Sequence, residues 1–263
     1  MLTLIGMIMF DLNRYKEQKL IQKNDYSPHY VFNSLLYDKV YEDLHKNFPA
    51  TELFKDETPE TRKHNQRPHH RKYMCIGDVS ATPKLSEYLL DINKLPDIWK
   101  KFVIYLMNDK EYKLWLMELL DVDDFTFRFD WHKTKNEQDV SPHVDSELKI
   151  ASHLIYFMPK SWECRNGGKT IFYSGKKVQK LNPEYYDFEE SIEIDNIGNK
   201  SCLFKNSEHG WHGITPVKCN ENIYRQIFNI VILKKDNKNL IVEKKNINLM
   251  NKIINRFVKL LKK

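Results

Sequence analysis

The sequence predicts an α+β chain, in which a helical N-terminal portion leads into an antiparallel sandwich or jelly-roll core and a C-terminal helix follows. Three observations carry this expectation. The hydrophobic period changes from helical to alternating at Asp124, the strand candidates beyond it have no helices between them, and 14 Phe, 14 Tyr and 5 Trp stand against only 8 Gly. Short strands in uninterrupted succession indicate antiparallel pairing rather than βαβ units. Aromatic residues in place of glycine favour cross-strand contacts over a glycine-rich nucleotide fold.

At 263 residues the chain can bury a real core, and it reads as one domain with elaborated ends. Residues 1–123 are expected to be mostly helical and to pack on the core. In the stretch from Pro28, a short apolar run precedes Leu35, Leu36, Val40, Leu44 and Phe48 at helical spacing, and Pro49 stops it. A strand leading into an amphipathic helix follows from that pattern. The basic run from Thr58 to Lys72, with His64, His69 and His70, reads as a loop. Pro96 opens a further helical stretch, carrying Trp99, Phe102, Val103 and Leu106 and then Tyr112, Trp115, Leu116, Leu119 and Leu120, which makes one or two helices.

Residues 124–236 form the predicted core. Phe125, Phe127 and Phe129 alternate with Thr126, Arg128 and Asp130, giving a strand with one aromatic face. Further strands are expected at Lys149 to Met158, Lys169 to Ser174, Ser201 to Lys205 and Arg225 to Lys234, with turns at Asn166-Gly-Gly and Asn196-Ile-Gly-Asn. Residues 237–263 end in a basic amphipathic helix, with an apolar stripe at 250, 253, 254, 257, 260 and 261. Such a helix covers its own core, or meets an anionic membrane surface or a partner.

A formal charge of +6 from 42 basic and 36 acidic residues is modest, and it points to no nucleic-acid partner. Cys75, Cys164, Cys202 and Cys219 form no CxxC pair, so free thiols in a reducing, cytoplasmic setting are the expectation. The apolar start, Met1 to Phe10, lacks a basic leader and a cleavage site. It is about half the ~20 residues a spanning helix needs, so no transmembrane segment is expected there. A buried first strand and a poorly ordered end are both open.

The chemistry lies in four residues. Ser141-Pro-His-Val-Asp-Ser146 offers an imidazole and a carboxylate two residues apart, and Gly210-Trp-His-Gly-Ile214 offers a second imidazole far downstream. In an extended segment His143 and Asp145 share one face, and a jelly roll can bring His212 to them because its strands fold back repeatedly. Two imidazoles and one carboxylate make the facial triad that holds non-haem Fe(II) and leaves positions open for a co-substrate and dioxygen. Arg225 supplies a planar two-pronged cation suited to a carboxylate, which sketches a 2-oxoglutarate site. Each residue alone has an ordinary alternative: His212 as a packed side chain, His209 as a competing ligand, Arg225 as half of an ion pair. The ordered set in a strand-rich context favours function.

The order PHVDSE, then KIASHLIYFMPKSWECRNGGKTIFY, then SCLFKNSEHGWHGITPV, then RQIFNIVIL resembles the prolyl-hydroxylase-like group of 2-oxoglutarate- and Fe(II)-dependent dioxygenases. The likeness covers roughly residues 125–234 and is fainter from Pro28. It implies a double-stranded β-helix (jelly roll) core, iron bound by His143, Asp145 and His212, and Arg225 receiving the distal carboxylate of 2-oxoglutarate. It also implies a tyrosine that supports the co-substrate. Tyr156 takes that place only with a register shift of one residue, and Phe157 takes it otherwise. Gly167-Gly168 matches the family's glycine turn. Halogenating relatives have a small residue where Asp145 stands, so hydroxylation of a peptidyl residue or small metabolite is implied, with release of succinate and carbon dioxide. Two other classes stay open. One is a non-catalytic jelly-roll module binding a glycan or peptide; the other is a zinc hydrolase, which lacks an HExxH helix and gives Arg225 no task.

Overall fold

The computed structural model describes residues 9, 10, 12, 26–57 and 71–235. The anticipated C-terminal helix and most of the basic run at 58–72 lie outside the described residues. Among those described, two antiparallel sheets dominate and helices are few. A seven-stranded sheet has the order β1-β9-β6-β11-β4-β3-β2, and a four-stranded sheet has the order β5-β10-β7-β8. The strands are β1 His29–Phe32, β2 Lys55–Asp56, β3 Arg71–Gly77, β4 Thr126–Thr134, β5 Val140–His143, β6 Lys149–Tyr156, β7 Thr170–Lys176, β8 Phe188–Ile194, β9 Ser201–Lys205, β10 His212–Ile214 and β11 Arg225–Leu233. From β4 onward the chain moves repeatedly between the two sheets.

The helices α1 Asp38–Lys46, α2 Asp97–Asn108 and α3 Lys110–Leu120 fall where the apolar spacing placed them. Their buried stripes, Val40 and Leu44, Trp99 to Leu106, and Tyr112 to Leu120, pack with Met74, Phe127, Phe129, Trp131, Phe157 and Phe228 in the main core. The aromatic face of β4 therefore meets the helices, and its alternate residues face the other sheet. That second interface is smaller, with Leu154, Tyr156, Phe172, Phe204 and Ile227 in one cluster.

Trp99 is central to the helix–sheet layer. It is fully buried, its indole N–H donates to the Leu44 carbonyl at 3.0 Å, and its ring lies 5.1 Å from those of both Phe157 and Phe228. Trp99→Ala removes this packing and is expected to cost about 3–5 kcal/mol of stability, read as a lower midpoint in chemical denaturation.

The structure departs from the sequence expectation at three places. Arg71 and Lys72 do not belong to the loop; they begin β3, which pairs with β4 in register Arg71↔Thr134. Two strands, β2 and β3, thus come from the portion expected to be mostly helical, beside the anticipated strand β1 that leads into α1. The strand β8 and the short pair β5 and β10 are additional. Among the described residues, no helix is long and apolar enough to cross a membrane.

Candidate metal centre

Strand pairing brings the two candidate imidazoles together. His143 ends β5, His212 begins β10, and the two are direct antiparallel partners. Their ring centroids lie 4.3 Å apart. Asp145 follows two residues after His143, with its Oδ2 at 3.7 Å from His212 Nε2. One ligand atom from each of His143, Asp145 and His212 lies within 4.8 Å of the others, a group that could hold a metal ion.

The protonation geometry suits that use. His143 Nδ1 is 3.0 Å from the Ser141 carbonyl, and His212 Nδ1 is 2.9 Å from the Gly210 carbonyl. A carbonyl only accepts, so each Nδ1 carries the proton and each Nε2 carries the lone pair. Backbone anchoring of the outer nitrogen is the usual way a metal-binding imidazole is oriented. Burial acts to raise the Asp145 carboxyl, but the charge of Lys149, the largest opposing cause, and its hydrogen bond hold the group well below the usual carboxylate range. Lys149 Nζ donates to Asp145 Oδ2 at 2.8 Å, fixing an ionised oxygen beside the imidazoles.

His209 stands apart. Its side chain is 73% exposed and its nearest acidic neighbour is Glu208. His209→Ala is therefore expected to leave Mn(II) binding unchanged in isothermal titration, whereas loss of binding would exchange the roles of the two histidines.

Arg225 opens β11 and is fully buried. Its Nε donates to the Gly168 carbonyl, and both Nη1 and Nη2 lack a hydrogen-bond partner among the described residues. Burial pulls its pKa down to about 9, so the guanidinium still carries its charge at neutral pH. The close approach depends on glycine: Gly168 has φ +64°, and a Cβ there would stand 2.7 Å from Arg225 Cδ. Tyr156 and Phe157 point to opposite faces. Phe157 lies in the helix-side core, while Tyr156 lies between the sheets with its Oη 2.8 Å from Thr170 Oγ1.

A cavity of about 240 Å³ is lined by His143, Asp145 and His212 together with Thr170 and Ile227. Arg225 and Tyr156 do not line it themselves. Tyr156 reaches it through Thr170, and Arg225 acts electrostatically on the cavity residue His132. The sequence reading missed the other lining residues Arg71, Arg128, Asp130, His132, Lys149 and Asn229. A signal existed in β4, where Arg128, Asp130 and His132 alternate with Phe127, Phe129 and Trp131.

Comparison with solved structures finds this fold in non-haem 2-oxoglutarate systems. HygX from Streptomyces hygroscopicus, with nickel, 2-oxoglutarate and hygromycin B bound, matches 80% of this chain and 84% of its own at 9% identity, with a TM-score of 0.51. SnoK, a non-heme alpha ketoglutarate dependent carbocyclase from nogalamycin biosynthesis, matches 80% of this chain and 81% of its own, also at 9% identity and TM-score 0.51. A prolyl-4-hydroxylase from Pseudomonas putida covers 80% of this chain and 94% of its own at 9% identity and a TM-score of 0.49. The similarity is one of fold. No family model matches the chain, and no curated protein matches it in sequence.

Proposed function

We propose that the chain is a 2-oxoglutarate- and Fe(II)-dependent dioxygenase that hydroxylates a peptidyl residue or small metabolite. The observation that carries this reading is the convergence of His143, Asp145 and His212, with both Nε2 atoms in the lone-pair tautomer, near a buried Arg225 whose Nη atoms lack partners among the described residues. Iron bound there, with 2-oxoglutarate and dioxygen, supplies oxidation of an unactivated C–H bond: one oxygen atom enters the substrate as hydroxyl, the other enters succinate, and carbon dioxide leaves.

The residues of this chain set the geometry. The two imidazoles and the Asp145 carboxylate would hold the ion through three ligand atoms, a donor set that suits Fe(II) with positions left for co-substrate. Lys149 holds the carboxylate ionised. Arg225 offers its two Nη donors to the distal carboxylate of 2-oxoglutarate, satisfying groups that are otherwise buried without partners. Tyr156, held by Thr170, lies in the same region. The sheet order β4-β11-β6-β9 opposed to β5-β10-β7-β8 supports a double-stranded β-helix as the core, within the proposed 124–236 domain, and the described helices of the N-terminal portion pack on it. Cys75, Cys202 and Cys219 are free thiols, which supports a cytoplasmic setting.

Oxygen consumption by the Fe(II)-loaded chain, with and without 2-oxoglutarate, tests the reading. Uptake that depends on 2-oxoglutarate and yields succinate is expected. Stoichiometric zinc binding with no such uptake points to hydrolytic chemistry, and no metal binding at all points to a non-catalytic binding module.

A further inference from the structure

The cavity beside the three candidate ligands carries a second set of buried polar side chains, apart from the metal ligands and Arg225. Arg128 and Asp130, alternate residues of β4, form a two-pronged pair, Nε to Oδ1 at 2.8 Å and Nη2 to Oδ2 at 3.2 Å. Their side chains are 7% and 4% exposed. Next to them on β3, Arg71 pairs with Glu57 through Nε and places Nη1 3.0 Å from His132 Nδ1. A guanidinium only donates, so His132 Nδ1 accepts and the ring proton sits on Nε2. Burial, then the cations around it, hold this imidazole neutral. His132 Nε2, Ser152 Oγ and Asn229 Oδ1 are all buried and have no hydrogen-bond partner among the described residues. Every residue of this second set lines the cavity shared with His143, Asp145 and His212.

Stability does not account for such a wall. Buried ion pairs are no more stabilising than apolar residues of the same shape, and buried donors and acceptors left unpaired are costly. The pattern instead describes a ligand. Arg71 and Arg128 are balanced by Glu57 and Asp130, so a purely anionic or cationic guest adds uncompensated charge to a low-dielectric wall. A zwitterion brings both signs and can exchange with the resident pairs: its carboxylate takes guanidinium donors and its ammonium takes carboxylate acceptors. The His132 Nε2–H, the Ser152 hydroxyl and the Asn229 carbonyl add neutral contacts. At about 240 Å³ the cavity falls below the roughly 300–1,000 Å³ of pockets for drug-sized ligands, and because the metal and co-substrate share it, the space left suits a small molecule.

We infer that the wall of Arg71, Arg128, Asp130 and His132 is the substrate subsite, and that the substrate is a small free α-amino acid. The inference rests on the dioxygenase reading and narrows its substrate class. Under nitrogen, the full chain loaded with Ni(II) is first titrated with 2-oxoglutarate. It is then titrated with each of the common free L-amino acids, and with the same acids amidated at the carboxylate or acetylated at the amine. At least one free acid is expected to bind, with blocking of either end weakening it about tenfold or more. The charge-balanced double variant Arg128→Gln/Asp130→Asn is expected to weaken the same acid by a similar factor, with 2-oxoglutarate binding showing that it is folded. The proposal is overturned if no free acid binds, if blocked forms bind as tightly, or if the folded double variant binds the acid as tightly as the wild type. Failure of the first titration, by contrast, sinks the co-substrate reading itself.

Discussion

Alanine at position 143, 145 or 212 is expected to abolish stoichiometric Mn(II) or Fe(II) binding and, with it, all turnover of 2-oxoglutarate, whether or not substrate is present. Residues that only orient metal ligands typically cost about 10–100-fold in affinity when removed, so loss of a ligand itself should exceed that range. The imidazoles at 143 and 212 reach the site by strand pairing rather than by packing into the large core. Their removal should therefore leave the metal-free chain folded, with some loss of stability at His212, whose buried ring lies 4.8 Å from that of Phe204. Thermal unfolding separates the two effects. Metal at about 100 times its Kd stabilises the wild type by about 2.7 kcal/mol, and His143→Ala or His212→Ala should show none of that gain over its own metal-free stability. Asp145→Ala differs, because it strands the Lys149 amine, whose side chain is only 13% exposed, and so lowers the metal-free stability as well. Succinate release at the wild-type rate from any of the three variants contradicts the assignment.

Why these residues were visible in the sequence, and their surroundings were not, has a physical reason. His143 and Asp145 share parity in an extended segment, His212 begins a strand, and Arg225 heads an apolar run, so each carries a local mark. The helices at α2 and α3 were equally plain because their apolar residues recur at helical spacing over a long stretch. The β3 strand was hidden because Tyr73, Met74, Cys75 and Ile76 are all buried. Burial on both faces erases alternation, and the basic residues before it prolong the apparent loop. In β8, an edge strand, Glu189, Ser191 and Glu193 line one exposed face and Glu190 is exposed on the other, and β5 and β10 are too short to show a period. Arg128, Asp130 and His132 alternate correctly, but polar residues opposite an aromatic face look like a solvated surface. Only the second sheet, folded over them, turns that face inward. The choice between Tyr156 and Phe157 had the same origin: both are apolar enough for a core, and only the packing of α1 and α2 on one face decides between them.

Arg225→Met is expected to weaken 2-oxoglutarate binding strongly while leaving the metal-loaded fold at least as stable as the wild type. In the ligand-free chain the guanidinium is fully buried with two nitrogens unpartnered among the described residues, an arrangement that costs stability. Methionine is of comparable length and needs no hydrogen bonds, so the substitution removes that cost. A ligand carboxylate, however, loses its charge-assisted contact, which is worth about 1.5–3 kcal/mol. That range corresponds to roughly 10–150-fold in Kd. Arg225→Lys discriminates further: it restores the charge without the planar fork and without the Nε contact to Gly168, so its affinity should lie between those of methionine and arginine. Mn(II) binding in both variants should match the wild type, because Arg225 does not line the cavity that holds the three ligands. The opposed signs are informative. A purely structural arginine gives lower stability on substitution and unchanged co-substrate affinity, whereas a residue kept for a ligand gives the reverse, and calorimetric titration beside a denaturant melt of the same preparation reads both.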